Sequence, residues 1–258
     1  LDLLIRRNHV SVQRLSVVIS DEAHNLADGS RGARLELLLG TIKRERPRTR
    51  FVLLSPWLPN GEEILRWLGE KESLPAIAVN WRPGNRIVGC LNVGGRLANR
   101  RLNFATIPAA DNSDIRTELE IPLAIPPENF TPGIAAISLL ATTALSSRGA
   151  TLVLCRGQGT AMTRAREFAE ILPEIPMSPQ ADAVCKLLRA EFGAKTSLAD
   201  CIHKKIAYHH AGIPHEARWL IELLVKQGDV KVVCGTTTLA QGVNFPISNV
   251  IIETLKKG

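Results

Sequence analysis

The sequence predicts an α/β fold: two partial lobes, each a mainly parallel sheet covered by helices. Three observations predict it. Short, mainly apolar runs such as Leu15–Ser20, Phe51–Leu54, Thr151–Cys155 and Val230–Cys234 have the length of buried parallel strands. Segments with apolar residues at helical spacing follow them. The alternation of the two, seen once near the start and again near the end, is the signature of βαβ units.

In the first stretch, Leu15–Ser20 reads as a strand that ends at Asp21. Arg34 to Lys43 reads as a helix through Leu35, Leu38, Leu39 and Ile42. Phe51–Leu54 is a second strand and Glu62–Leu68 a second helix. From Pro75 to Pro127 the chain turns rich in Pro, Gly, Asn and Arg, with short apolar pieces such as Ile87–Leu91, and reads as an excursion of strands and loops. Residues 125–133 form the expected linker, with Thr131 as N-cap and Pro132 as first helical residue of a helix reaching about Ser147 and stopping near Gly149. Thr151–Cys155 is then a strand, Thr163–Ile171 a helix, Ile206–Tyr208 a short strand, and Glu216–Gln227 a helix closed by Gly228. Val230–Cys234 and Val250–Ile252 are further strands. The division drawn from this pattern is 1–127 and 128–258.

Composition narrows the function classes. The 258 residues are 45% hydrophobic and 22% charged, the mixture of a globular chain with a real core. Aromatics reach only 4%, low for a protein that grips single strands mainly by base stacking. The net charge of +7 permits a polyanionic partner without demanding one. The five cysteines are scattered, with no C-x-x-C pair, which argues against a zinc ribbon or a disulfide framework and for a reducing compartment. No secretory signal and no apolar run of about 18 residues is visible, so the expectation is a cytoplasmic, nuclear or nucleoid-associated protein with no membrane span.

The strongest chemical signal is Asp21-Glu22-Ala23-His24 after an apolar strand. Carboxylates at the exposed end of a buried parallel strand sit where open α/β sheets bind ligands. One acid can hold Mg²⁺ through water while its neighbour orients and deprotonates the water that attacks a γ-phosphate. The bland alternative is a solvated acidic turn. Gly193-Ala194-Lys195-Thr196 lacks the earlier glycine of a phosphate loop, and Gly157-Gln158-Gly159 lacks the third glycine of a dinucleotide loop, so a simple turn is expected there. His203, His209, His210 and His215 have no metal-ligand spacing. The basic run Lys43, Arg44, Arg46, Arg48 and Arg50 either steers a phosphate backbone or is a solvated helix end.

Further elements are shared with one family. Asp21-Glu22-Ala23-His24 resembles motif II of DEAH/DExH helicases, and Arg31-Gly32 with Glu36 resembles the stretch that follows it in the superkiller-type branch. Leu53-Leu54-Ser55-Pro56-Trp57-Leu58-Pro59-Asn60 occupies the place of motif III, and Asn80-Trp81-Arg82-Pro83 is similar to the Trp-Arg-Pro element after it. Thr151–Cys155 takes the motif IV position. His209-His210-Ala211-Gly212, with Arg218 and Glu222, resembles the His-His-Ala-Gly element, and the run from Thr236 to Pro246 resembles motif V. These elements fall in family order over almost the whole chain, which therefore resembles a superfamily 2 helicase from motif II to motif V.

The resemblance implies two RecA-like lobes, ATP and Mg²⁺ as cofactors, and a DNA or RNA partner, expected as a single-stranded track. It implies Asp21 as the Mg²⁺ residue (through water) and Glu22 as general base. His24 would couple motif II to the neighbouring lobe contacts, and Ser55 would link nucleotide state to strand grip. Thr236, Thr238, His210 and Gly212 would contact nucleic acid, and Gly242 and Asn244 would lie near the nucleotide and the interlobe cleft. It also implies that the phosphate-loop lysine and the arginine-rich motif VI lie outside these residues, so that they alone turn over ATP poorly. Ser55-Pro56-Trp57 departs from the family's Ser-Ala-Thr: a hydroxyl is lost, and Pro removes a backbone donor. The rival readings are a helicase-like nucleic-acid scaffold without turnover and a nucleotide-binding α/β enzyme unrelated to nucleic acid.

Overall fold

The computed structural model describes residues 2–56, 58, 60–69, 77, 87–95, 99–107, 118–121, 133–172, 176–193, 196–236, 239 and 246–254. Of the expected linker at 125–133, all but Gly133 lies outside them, Thr131 and Pro132 included. So do Trp57, the Trp-Arg-Pro element and most of the motif V run. Packing divides the chain into two units, 1–85 and 86–258. The sequence division at 127 follows chain order instead, and the two differ over residues 86–127.

In unit 1, β1 (Val17–Ser20) and β2 (Arg50–Leu53) pair in parallel, Val17 with Arg50 through Ser20 with Leu53. Helix α1 (Asp2–Arg6) precedes them, α2 (Gly29–Glu45) connects them, and α3 (Gly61–Leu68) follows. Alternation sends Val18 and Phe51 to the helices. There Ile5, Val12 and Ile42 form one small core, and Leu39, Ile64 and Leu68 a second. The Lys43 ammonium donates to the carbonyls of Trp67 and Gly69, satisfying orphan acceptors at the end of α3. The first residue of the basic run is thus a helix cap, whereas Arg48 and Arg50 are exposed.

Unit 2 opens with an antiparallel sheet of β3 (Gly89–Gly94), β4 (Arg101–Thr106) and β5 (Glu118–Ile121). The expected excursion of strands is therefore a meander. Its core face carries Leu91, Val93, Leu102 and Ile121, and Leu102 packs with Leu140 of α4 (Ile134–Leu145). Arg101 spends its charge on Glu120 across the sheet, at 2.8 Å.

The second sheet is parallel. It runs in the order β7 (Ile206–His209), β8 (Val232–Gly235), β6 (Ala150–Leu154), β9 (Ile247–Ile252). The central strand β8 and its neighbour β7 are buried at every residue, as a sheet covered on both faces requires. Helices α5 (Gln158–Ile171), α6 (Pro179–Phe192), α7 (Ser197–Ile202) and α8 (His215–Gln227) supply Phe168, Leu188, Ile202, Ile221 and Leu224 to its core.

Two sequence expectations need correction here. Gly157-Gln158-Gly159 is not a simple turn: Gly157 is the N-cap of α5, and Gln158 and Gly159 form its first turn. Helix α6 stands where the sequence pattern places no element, although Ser178 caps it by accepting from Ala181 N–H at 3.0 Å and Pro179 stands first in the helix. Gly193, part of the rejected phosphate-loop look-alike, ends α6 with φ 93°. No helix among the described residues is long and apolar enough to cross a membrane. All five cysteines are unpaired, with four of them buried. Burial pushes the thiols of Cys155 and Cys201 up to about 12 and that of Cys185 to about 11, which keeps them protonated and unreactive.

Candidate functional site

Asp21 and Glu22 leave the end of β1 at the edge where both parallel strands of unit 1 finish. Asp21 is exposed, and its Oδ1 accepts the Glu22 N–H at 2.8 Å. Glu22 has φ 52° and ψ 44°, the left-handed region that non-glycine residues enter at a cost. Its neighbours hold it there. The Ala23 N–H donates to the Leu54 carbonyl at 2.8 Å, and the Asn25 N–H donates to the Glu22 carbonyl at 2.9 Å. Leu54 in turn donates its N–H to the Ser20 carbonyl at 2.9 Å. The main chain beside Ser55 is thereby stitched to the acidic loop. That tie uses Leu54 rather than the hydroxyl the family keeps two residues after Ser55, so it survives the Ser55-Pro56-Trp57 departure. His24 brings Nδ1 to 3.2 Å from Glu22 Oε2, close enough for an ion-pair contact.

A 3-10 turn over Ala23–Ala27 carries this loop into α2. Gly32 is buried where α2 lies against the turn. A Cβ added there would stand 2.2 Å from the Leu26 carbonyl oxygen and 2.9 Å from that of Asn25. Main-chain atoms cannot rotate aside, so only glycine fits. We predict that Gly32→Ala costs about 1–3 kcal/mol through overpacking. Gly40→Ala on the same helix, whose Cβ meets only a Trp67 ring carbon at 3.5 Å, should be neutral or stabilising. Thermal denaturation of the two variants checks this. Equal melting temperatures would remove the steric account.

In unit 2 the C-terminal ends of β7, β8 and β6 lie side by side. They bring His209 and His210, Thr236, and the start of α5 to one edge. The His210 ring stacks on Tyr208 at 5.9 Å and accepts the Gly212 N–H at Nδ1, 3.1 Å away. Gly212 lies close to the first turn of α5: a Cβ there would stand 2.7 Å from Oε1 of the flexible Gln158 side chain. The His-His-Ala-Gly element thus packs on the first turn of α5, a contact the sequence does not announce. Thr236 is buried just beyond β8, and its carbonyl accepts the Leu239 N–H at 2.9 Å. Thr238, Gly242 and Asn244 lie outside the described residues. The described residues contain no group of three or more His, Cys, Asp or Glu able to hold a metal. A hydrated Mg²⁺ needs only one or two carboxylates, and Asp21 meets that requirement with its second oxygen.

Burial lowers the proton affinity of both His209 and His210 below the ordinary histidine value. For His209, Glu222 at 3.5 Å opposes this, while Arg218 and His210 add to it. A folded-state value below the unfolded one means that the unfolded chain takes up the protons first. Stability from these two rings is therefore whole above about pH 6.5 and is lost as pH falls below it. His210→Gln should flatten that part of the thermal-midpoint profile between about pH 6.5 and 5. An unchanged profile would show that the ring titrates normally.

No family model matches the chain. Among curated relatives, "ATP-dependent DNA helicase Hel308" of Pyrobaculum calidifontis is 28% identical over 100% of the chain, covering 33% of the relative. The proteins of the same description from Methanococcus vannielii and Methanocella arvoryzae are 27% and 26% identical over 100% and 99% of the chain, covering 32% of each. The chain thus spans about a third of the length of the curated relatives it matches. Motif order and the α/β fold agree with this likeness: over nearly its whole length the chain is similar to proteins described as Hel308 DNA helicases.

Proposed function

We propose that the native protein is a motor that couples ATP hydrolysis to movement along, or unwinding of, DNA, with lobes at 1–127 and 128–258. The observation that carries the reading is the Asp21–Glu22 pair at the end of a parallel strand, with Glu22 held left-handed and Ala23 tied to the main chain beside Ser55. DNA is preferred over RNA as the track because the relatives are described as DNA helicases.

Bound Mg²⁺ would supply charge neutralisation at the phosphates. Asp21 would hold it through water, using the oxygen that the Glu22 amide leaves open. Glu22 would orient the attacking water and accept its proton. His24 rests against Glu22 and would report the state of that carboxylate to its surroundings, with Leu54 and Ser55 as the second route. In unit 2, Thr236, Thr238, His210 and Gly212 would meet the tracked strand, where hydroxyls and open main chain suit phosphate contacts. Gly242 and Asn244 would line the nucleotide cleft.

ATP hydrolysis by the full native polypeptide, with and without single-stranded DNA, tests the reading. Strand-stimulated turnover is expected. A folded protein that binds DNA and hydrolyses nothing would leave the scaffold alternative.

A further inference from the structure

Charge in this chain is concentrated. Residues 3–16 and 43–50 carry eight basic side chains against one acid, Glu45, a surplus of seven equal to the formal net charge of +7 for all 258 residues. The fold brings these two segments to one edge. The Arg50 N–H donates to the Ser16 carbonyl at 2.9 Å, and Thr49 Oγ1 donates to the Leu15 carbonyl at 2.9 Å. Arg46 bonds the Asn8 side chain, and Ile5, Val12 and Ile42 share one core beneath. Because β1 and β2 are parallel, this is the edge where both begin, roughly 13 Å along the strands from the acidic pair where they end.

The helix macrodipole accounts for cations only at helix ends: Arg6 in the last turn of α1, and Lys43 and Arg44 in the last turn of α2. Lys43 caps α3, Arg44 pairs with Glu45 at 2.9 Å, and Arg46 is held by Asn8. Arg7, Arg14, Arg48 and Arg50 fall outside those turns, come from both segments, and are exposed. Cations gathered on one edge in excess over acids form a footprint for a chain of phosphates, which gains by releasing its counterions.

We propose that this edge of unit 1 binds the phosphate backbone of nucleic acid, in addition to the contacts proposed above for Thr236 and His210. The contact is electrostatic, independent of sequence, and needs no ATP turnover. It serves to anchor the nucleic acid while the motor cycles.

The test is equilibrium binding by the full native polypeptide across a salt series, with labelled duplex DNA, single-stranded DNA and duplex RNA as separate probes. The variants are Arg7→Gln/Arg14→Gln/Arg48→Gln and the same triple to Lys. Loss of three phosphate contacts should lower the log–log salt slope on duplex DNA by about 2.7 and weaken binding roughly tenfold or more at moderate salt. The Lys triple keeps the charge and should bind like the wild type, and ATP turnover without nucleic acid should be unchanged in both. The probe that shows the drop names the form bound. Unchanged slopes on all three probes overturn the proposal, as does a Lys triple as weak as the Gln triple. Performed on a Glu22→Gln background, the measurement separates failure of this proposal from failure of the motor reading.

Discussion

Replacing Glu22 by Gln should lower ATP turnover of the native protein by about two to four orders of magnitude, the range that a positioned general base supplies. The substitution keeps the size of the side chain and the left-handed main chain. It also keeps the Ala23–Leu54 tie and the Asp21–Glu22 amide contact. What it removes is the carboxylate proposed to accept the proton of the attacking water, so nucleotide and DNA affinity should change little while the rate of the chemical step collapses. A rise in KM with the maximal rate preserved would instead make Glu22 a binding residue. Gly32→Ala reaches the same loop from behind. A fall in maximal rate beyond what its stability loss explains would show that the helix–turn contact positions the acid.

The second large effect concerns stability. Arg164 on α5 forks onto Glu253, just past β9, with Nε–Oε1 at 2.6 Å and Nη2–Oε2 at 3.2 Å, and also pairs with Glu167. The Arg164 and Glu253 side chains are 9% and 4% exposed. Burial alone would make Arg164 easier to deprotonate, but the hydrogen bonds and charges of Glu253 and Glu167 hold its proton more tightly than usual. Removing the buried carboxylate leaves the buried guanidinium with only Glu167, whose side chain is 44% exposed. Glu253→Gln should cost about 3–5 kcal/mol. Arg164→Met with Glu253→Leu, which removes both charges, should cost much less than Glu253→Gln or even stabilise. Denaturant unfolding of the wild type, the single variant and the double variant reads the difference. A double variant as unstable as Glu253→Gln would place the loss in packing instead of charge.

This pair also marks where sequence reading stops. The two residues are 89 positions apart, and nothing local in either segment signals the other. Strands β7 and β8 were legible because burial on both faces leaves apolar runs, as in Val232–Gly235 and Ile206–Tyr208. The meander of unit 2 was visible only as irregular composition, because half of each strand faces solvent and carries Asn, Arg and Glu. Helix α6 escaped because its buried stripe leans on small residues, Ala181 and Cys185, beside Val184 and Leu188. Its Ser178-Pro179 start was the available signal. The acidic pair was legible as chemistry. The left-handed main chain at Glu22 and the backbone tie to Leu54 were not, because they depend on where β2 ends in space. Gly32 is legible as part of a shared element, but its reason, a close approach of the Leu26 and Asn25 main chain, appears only in the fold.

The central claim is that Asp21 and Glu22 drive a nucleic-acid motor. It is tested most directly by steady-state ATP hydrolysis of the full native polypeptide, with and without single-stranded DNA and RNA, beside its Glu22→Gln variant. The account predicts turnover stimulated by single-stranded DNA and lost in the variant. A folded wild type that binds DNA but hydrolyses ATP no faster than the variant would contradict it.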